Sequence, residues 1–138
     1  MESDGLALKW RRIPNRYRLL GSHCENCGAN FFPPRKICPN CGRKTKMVEK
    51  TFSGYGKIYS FTVVRTPTEE HKENAPYILA IVQLDEGPKL TAQIIKDNNK
   101  EIKIGSRVKL AFRRITEDGK EGLIHYGYKF QVIEKINK

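Results

Sequence analysis

The fold is decided by Cys24-Glu25-Asn26-Cys27-Gly28 and its repeat, Cys38-Pro39-Asn40-Cys41-Gly42. Each segment, called a knuckle below, is a Cys-x-x-Cys followed directly by glycine, and together they hold all four cysteines of the chain. Two intervening residues let the backbone curl until both sulfurs point at one ion, and glycine accepts the positive φ that ends the curl. The pattern therefore predicts a metal site with the ligands Cys24, Cys27, Cys38 and Cys41.

The predicted site is structural, because four thiolates close a tetrahedron and leave no position for water or substrate. Zinc is the expected ion, and iron is the alternative that the ligand set does not separate from it. A disulfide framework is disfavoured, since residues 1–5 are acidic and polar and do not resemble a secretion signal. The cysteine usage thus favours a reducing, cytoplasmic location. We expect His23 to be a neighbour of the first knuckle and not a fifth ligand.

The charge of the chain is strongly basic and unevenly distributed. The 138 residues include 26 Lys/Arg and 15 Asp/Glu, a formal net charge of +11. Residues 1–50 hold 11 basic and 4 acidic residues, whereas residues 51–138 hold 15 and 11. Such an excess attracts nucleic acid, phosphorylated cofactors or acidic protein faces, although a charged run is also a common solvated surface. No apolar run approaches the roughly 20 residues that span a bilayer, so no membrane span is expected.

Residues 1–21 form a predicted basic helical arm. Apolar residues recur there at helical spacing, at Leu6, Trp10, Ile13, Tyr17 and Leu20. Cations fill much of the remainder, at Lys9, Arg11, Arg12, Arg16 and Arg18. Pro14 interrupts the pattern and predicts two short helices or a kinked one. So short a segment cannot build a core. Its apolar stripe must therefore dock, and a partner protein is favoured over the rest of this chain or a membrane surface.

Residues 22–50 form the predicted zinc ribbon. Pro33 and Pro34 stiffen the connection between the knuckles. Phe31 and Phe32 are expected to pack over the metal site, because a ribbon of this length has few other apolar residues. A short strand within residues 43–50 is expected to close the ribbon.

Residues 51–138 form a predicted all-β domain. Alternating apolar residues and turn signals predict strands at 54–64, 77–84, 90–94, 108–112 and 124–132, with a turn or helical turn at 97–102. Five short strands with glycines at the bends are typical of a Greek-key barrel of the OB type. The strand at 77–84 is nearly all apolar and is predicted to be covered on both faces. The fold class is therefore mainly β.

The alternation also predicts which aromatic side chains share a face. It groups Tyr55, Tyr59, Phe61 and Val63 on the first barrel strand, and a second set on the last strand, comprising Ile124, Tyr126, Tyr128, Phe130 and Val132. We expect these aromatic faces to point into the barrel and His125 to point to solvent. A one-residue error in register would reverse the assignment.

Catalytic motifs are not found in the sequence. The histidines at 23, 71 and 125 lie in unrelated contexts, and nucleotide-binding glycine loops and nucleophile elbows are missing. The carboxylates cluster in loops, where solvation explains them. Since nothing assembles a nucleophile, a base and an orienting group, a non-enzyme is expected.

The order of these parts resembles a known family. The basic arm precedes Cys24-x-x-Cys27-Gly28, Phe32-Pro33-Pro34-Arg35 and Cys38-x-x-Cys41-Gly42, which are followed by Ile58-Tyr59-Ser60-Phe61-Thr62 and Leu84-Asp85-Glu86-Gly87. This is similar to the family of rubredoxin-like zinc ribbon plus OB-fold proteins, long described as a domain of unknown function. The likeness covers about residues 8–133.

The resemblance implies a role beside acyl-CoA enzymes. Archaeal members of that family resemble a scaffold that joins a thiolase to hydroxymethylglutaryl-CoA synthase in the mevalonate pathway and helps to hold acyl-CoA. A basic surface is compatible with the phosphates of CoA. The candidate residues for CoA or partner binding are Trp10, Arg11, Arg12, Arg16, Tyr17, Arg18, Arg35 and Lys36.

Binding of single-stranded nucleic acid is the alternative function. Zinc ribbons and OB folds both occur in nucleic-acid-binding proteins, and the basic charge suits a phosphate backbone. OB-fold readers stack bases on outward-facing aromatic residues. The expected inward direction of Tyr59, Phe61 and Phe130 argues against this alternative.

Overall fold

The computed structural model describes residues 5–13, 18–69, 76–97, 100–117 and 124–133, and the side chains of 114–117 and 124–126 lie outside that description. The chain divides into two compact units, Met1–Ser53 and Gly54–Lys138.

The first unit contains a short helix and a small sheet. Helix α1 spans Leu6–Arg11, and the strands are β1 at Leu20–Cys24, β2 at Asn30–Phe31 and β3 at Met47–Thr51. A single 3-10 turn, Gly42–Lys44, follows the second knuckle. The strands form an antiparallel sheet in the order β2-β1-β3. Strand β3 confirms the short strand predicted to close the ribbon.

The apolar core of this unit is small. Leu19 and Phe52 are buried, and the Phe32 ring meets the Phe52 ring edge-on with 6.4 Å between centroids. Gly21 lies where these elements converge, and a Cβ there would collide with the Phe52 ring and the Phe31 carbonyl oxygen. Glycine is therefore required in β1 because the strand passes too close to its neighbours for a side chain.

Helix α1 keeps none of its residues buried. Trp10 is 74% exposed and Leu6 is 66% exposed, so the apolar positions of the predicted stripe that fall in this helix face solvent. The helix has six residues and is too short to be stable by local propensity alone.

The second unit is a closed five-stranded barrel. Its strands are β4 at Tyr55–Val64, β5 at Tyr77–Leu84, β6 at Lys89–Ile94, β7 at Arg107–Glu117 and β8 at Ile124–Val132. The strand order around the barrel is β4-β5-β6-β8-β7, with β6 and β8 parallel and the other neighbours antiparallel. The mainly β architecture predicted from the sequence, a short arm, a ribbon and a five-stranded barrel, is confirmed.

The barrel has an apolar core drawn from all five strands. The buried apolar residues described in these strands are Ile58, Ala80, Val82, Leu84, Leu90, Ala92, Ile94, Val108, Ala111, Phe130 and Val132. Phe130 is fully buried and contacts Tyr128 with 6.3 Å between ring centroids. The inward direction expected for Phe130 is therefore correct.

The prediction for β4 is wrong, because the strand contains a bulge. Ile58 pairs with Val82 and Ser60 with Ile81, so Tyr59 is one extra residue opposite β5. Gly56 and Ile58 are buried, which directs Tyr55 and Tyr59 outward, with exposures of 45% and 50%. The alternation changes phase at such an insertion.

Beyond the bulge, β4 returns its aromatic side chain to the inner side of the strand pair. Phe61 is paired with Ala80 and Val63 with Ile78, which places both on the face that carries the buried residues of β5. They nevertheless remain 36% and 46% exposed. The four residues grouped on one face by the sequence pattern therefore lie on two faces.

One further expectation differs from the structure, the turn expected at 97–102 agrees with it, and two expectations lie outside it. Ile81 is 38% exposed, so β5 is not covered on both faces. At residues 97–102, the described backbone forms a turn in which the Lys100 N–H donates to the Asp97 carbonyl oxygen at 3.1 Å. The side chains of His125 and Tyr126 lie outside the described residues.

Candidate metal centre and binding residues

The two knuckles have the same backbone geometry. In the first, the Gly28 N–H donates to the Cys24 carbonyl oxygen at 2.7 Å, and in the second the Gly42 N–H donates to the Cys38 carbonyl oxygen at 2.9 Å. The two glycines have φ values of 77° and 54°. Both turns need a residue that enters the left-handed region at little cost, which explains the glycine after each Cys-x-x-Cys.

The structure brings the four predicted cysteines together. Their sulfur atoms all lie within 4.8 Å of one another. The Cys24 and Cys41 Sγ atoms are 3.8 Å apart, and those of Cys27 and Cys38 are 3.5 Å apart. A tetrahedron with zinc–sulfur bonds of about 2.3 Å has edges of about 3.8 Å. The spacing therefore fits a tetrahedral structural ion and no bond between sulfurs, consistent with four free cysteines.

Backbone hydrogen bonds hold each knuckle to the ribbon. The Cys24 N–H donates to the Ala29 carbonyl oxygen at 2.8 Å, and the Glu25 N–H donates to that of Lys46 at 2.9 Å. At the second knuckle, the Thr45 hydroxyl accepts from the Cys38 N–H at 3.0 Å and donates to the Gly42 carbonyl oxygen at 2.5 Å. The Cys38 N–H is thus satisfied by a side chain where no strand neighbour pairs with it.

The electrostatics of the cluster favour a cation among the sulfurs. The pKa of the Cys24 thiol is lowered to about 6, first because the Cys27 backbone N–H donates to it and then because that of Lys46 does. The Asn26 amide donates to the Cys41 sulfur at 3.2 Å and lowers the pKa of that thiol. Burial and the three neighbouring thiols outweigh this bond and raise that pKa to about 12. A divalent ion removes the conflict, because it stabilises all four thiolates.

His23 lies beside the cluster but is oriented elsewhere. Its Nδ1 atom is 2.7 Å from the Asn30 side-chain oxygen, across the β1–β2 pair. The group of residues able to hold a metal ion consists of the four cysteines within the described chain.

Two predicted binding residues lie on the loop between the knuckles. The Arg35 backbone N–H donates to the buried Ser22 hydroxyl at 2.9 Å, and its guanidinium lies 5.2 Å from the centroid of the Phe31 ring. These contacts fix the direction of Arg35, which remains exposed together with Lys36. Phe31 and Phe32 therefore contact Arg35 and Phe52, respectively.

The other predicted binding residues belong to the arm. Trp10 and Arg11 are the last residues of α1, and Arg12 and Arg18 follow it; all are exposed. Arg16 and Tyr17 lie outside the described residues. In the described part of the chain, no helix is long and apolar enough to cross a membrane.

Two family models match the chain. One describes the rubredoxin-like zinc ribbon domain of ChsH2 and covers residues 11–47, and the other describes the C-terminal OB-fold domain of ChsH2 and covers residues 49–113. A "DUF35 domain-containing scaffold protein" of Methanothermobacter thermautotrophicus is 51% identical over 122 residues, which are 88% of this chain and 92% of that protein. The chain belongs to the DUF35 family. The resemblance inferred from the sequence is confirmed, and the ribbon match supports structural zinc as the ion for the four thiolates.

Two further similar proteins have names that include an enzyme. A solved chain of an "Ltp2-ChsH2(DUF35) aldolase" is 26% identical, has a TM-score of 0.66, and is matched over 97% of this chain and 100% of its own length. A "probable enoyl-CoA hydratase alpha subunit" of Thermomonospora curvata is 32% identical over 102 residues, which are 73% of this chain and 31% of that protein.

Several supporting residues of the DUF35 chain were missed by the sequence analysis. Ser22 anchors Arg35, Asn26 donates to a cysteine sulfur, and Thr45 closes the second knuckle. Asn26 lies within the first Cys-x-x-Cys, and Thr45 lies four residues after the second. Both can therefore be found in the sequence by looking for hydrogen-bonding side chains next to the ligands. Ser22 has no such local signal, since its partner is 13 residues away.

Proposed function

We propose that this DUF35 protein is a non-catalytic scaffold for acyl-CoA enzymes, and that it binds a thiolase and a hydroxymethylglutaryl-CoA synthase and helps to hold acyl-CoA. The archaeal relative is named a scaffold protein, the similar solved chain belongs to an aldolase with Ltp2, and another relative carries an enoyl-CoA hydratase name. These names support an acyl-CoA context. The two specific partners rest on the family resemblance of the sequence.

The exposure of Trp10 is the observation that carries the scaffold proposal. Tryptophan is a large apolar side chain that is enriched among the dominant residues of protein interfaces. Here it is 74% exposed on a six-residue helix that buries none of its residues. Burial of Trp10 and Leu6 in a groove of a partner supplies the packing that this short helix lacks.

Arg35 is the residue best prepared to bind a phosphate of CoA. Its backbone is tied to Ser22, and its guanidinium lies over the Phe31 ring, so the side chain loses less freedom when it binds an anion. A guanidinium binds phosphate oxygens in a bidentate manner, which the lysine ammonium cannot reproduce. Lys36, next to it, adds a second positive charge.

A reconstitution with purified enzymes tests the scaffold. The zinc-loaded full chain is mixed with thiolase and synthase from the same organism, and the complex is measured by size-exclusion chromatography with light scattering. Trp10→Ala is expected to weaken complex formation by about thirtyfold, the effect of losing a dominant interface residue. The control is Phe112→Ala, which removes an aromatic side chain that is 46% exposed on the barrel. If neither enzyme is retained by the native chain, the proposal fails.

Calorimetric titration of CoA into the assembled complex tests the ligand role. Arg35→Lys keeps the charge but removes the bidentate geometry, and we expect roughly a tenfold loss of CoA affinity. Arg43→Lys is the matched control, because Arg43 is also an exposed arginine of the ribbon unit. Equal CoA affinity of the native chain and the Arg35→Lys variant would remove Arg35 from the CoA site and leave the scaffold role standing.

A further inference from the structure

The outer face of β4 presents an alternation of aromatic and cationic side chains. Tyr55, Lys57 and Tyr59 are exposed at successive outward positions, since Gly56 and Ile58 between them are buried. Tyr59 reaches this face by regular alternation after Ile58, and the bulge there returns Phe61 to the opposite face. The scaffold role proposed above does not use these three residues.

Neighbouring strands add two lysines to the same face. Residues directly opposite in adjacent antiparallel strands lie on one face of a sheet. Lys109 of β7 is paired with Tyr55, and Gln83 of β5 is paired with both Lys57 and Lys89 of β6. The Lys89 ammonium lies 3.8 Å from the centroid of the Tyr59 ring, which is still 50% exposed. The outer barrel face thus comprises Tyr55, Lys57, Tyr59, Lys89 and Lys109.

One carboxylate at this side of the barrel, Asp85, is engaged by an arginine. Asp85 accepts from both terminal nitrogens of Arg107, at 2.6 and 3.0 Å. Its charge is therefore matched by Arg107 and not by the three lysines of the outer barrel face.

The spacing of these groups fits an extended polymer. Along a strand, alternate residues are about 6.6 Å apart, so the two tyrosines are separated by about 13 Å with Lys57 midway between them. A mononucleotide reaches one ring, whereas a nucleic-acid strand places bases on both rings and a phosphate near the lysine. Lysine is depleted at protein–protein interface cores, so its presence beside the tyrosines favours a polyanion over a protein.

We propose that the outer barrel face binds single-stranded nucleic acid, with bases stacked on Tyr55 and Tyr59 and phosphates held by Lys57, Lys89 and Lys109. Stacking accepts any base, because every base has a π-face, so little sequence preference is expected. The activity is separate from the scaffold function, and neither requires the other.

Fluorescence anisotropy with the full-length, zinc-loaded chain tests the proposal. The probe is a labelled oligothymidine of about eight nucleotides, within the range of sites covered by one OB fold. We expect binding that weakens with salt, with a logarithmic slope of about −2 for three phosphate contacts. Tyr59→Ala is expected to lower affinity by at least about fivefold through loss of one stacked base, while Tyr59→Phe retains it.

A pair of charge-reversal variants distinguishes a site from general attraction. Lys57→Glu with Lys89→Glu is compared with Lys96→Glu with Lys103→Glu, which makes the same change of charge at exposed residues between β6 and β7. Only the first pair is expected to abolish binding. Equal losses in both pairs, no binding at low salt, or Tyr59→Ala affinity equal to that of the native chain would each overturn the proposal.

One competitor and one variant identify other occupants of the outer barrel face. Displacement of the oligonucleotide by CoA at matched phosphate concentration would assign the face to the nucleotide end of that cofactor and overturn the proposal. Loss of enzyme capture in Tyr59→Ala, with oligonucleotide binding unchanged, would assign the face to a protein partner and also overturn it. Failure of the enzyme reconstitution with oligonucleotide binding intact leaves the proposal standing.

Discussion

The two units of this chain are stabilised by different means. In the ribbon unit, the buried apolar residues among those described are Leu19 and Phe52 and two of the cysteines, Cys24 and Cys38. The barrel unit buries apolar side chains from each of its five strands, with Phe130 fully enclosed. Small units with little apolar core usually depend on a metal or a disulfide. The comparison indicates that the ribbon needs its ion to fold, whereas the barrel folds by hydrophobic burial.

Removal of the metal gives the largest expected effect. A structural zinc ion contributes about 10–16 kcal/mol of apparent binding free energy in small zinc units, and this is folding free energy. A strong chelator should therefore unfold the ribbon unit and leave the barrel folded. Two-dimensional NMR measures this directly, through loss of dispersion for residues of the ribbon unit and unchanged signals for the barrel core.

Cys38→Ser is the genetic counterpart of chelation, because it removes one buried ligand. The variant should bind less zinc per chain and show the same NMR pattern as the chelated protein. Added zinc should restore the native spectrum of the chelated native chain but not that of the variant. Partner binding should disappear in both cases. A ribbon that keeps its dispersion after chelation would contradict the division between the units.

Truncation in the barrel core gives the next largest effect. Phe130→Ala removes a ring that is 0% exposed, and such substitutions cost about 3–5 kcal/mol. When urea denaturation is monitored by the NMR signals of the barrel, the midpoint concentration of urea should be lower than for the native chain. The zinc content should stay at one ion per chain. Loss of zinc in step with barrel unfolding would show that the two units unfold together.

The smallest effect is expected at the exposed ion pair of the barrel. The Arg107 guanidinium donates to Asp85 and lowers the pKa of that carboxyl, against a smaller opposing effect of burial. A carboxyl whose pKa is lowered on folding stabilises the protein above its unfolded pKa of about 3.9, and this contribution disappears as the pH falls through the folded value. Asp85→Asn should therefore cost under about 1 kcal/mol at neutral pH, with screening by salt.

Denaturation at neutral and at acidic pH checks this prediction. The native chain and Asp85→Asn should converge in stability once Asp85 is protonated. A stability difference that persists below that range would mean that the side chain acts through packing or neutral hydrogen bonds instead of its charge.

The parts predicted correctly from the sequence depend on local spacing. A Cys-x-x-Cys-Gly knuckle is specified within five residues, so its turn and its metal-ligand chemistry follow from the sequence alone. The number of barrel strands was likewise predictable from period-two alternation between turn signals. The environment of the arm was harder to predict, because burial of Trp10 depends on surfaces that no local sequence pattern specifies.

The division of β4 between two faces could not be predicted, because it depends on pairing with a strand further along the chain. Tyr59 becomes an extra residue only through the register of Ile58 with Val82 and of Ser60 with Ile81. The sequence around Tyr59 is a good strand whether or not it contains a bulge. The error concerned Tyr55 and Tyr59 of the outer barrel face, so Tyr59 no longer counts against nucleic-acid binding, whereas Phe130 lies inside the barrel as expected.

The bulge in β4 also divides one strand into two zones of mutational constraint. Before the bulge, positions 56 and 58 are buried, so the space inside the barrel limits the size of their side chains. Positions 55 and 57 are exposed, so they tolerate a wider range of side-chain sizes. After the bulge, position 61 is paired with buried Ala80 and position 63 with half-buried Ile78, although both positions remain partly exposed. A substitution profile of this strand should therefore shift by one residue at position 59. Deletion of Tyr59 would remove the bulge, so that Ile58 and Phe61 follow each other at alternate positions of a regular strand. The outward tyrosine would be lost, and the core residues would keep their places.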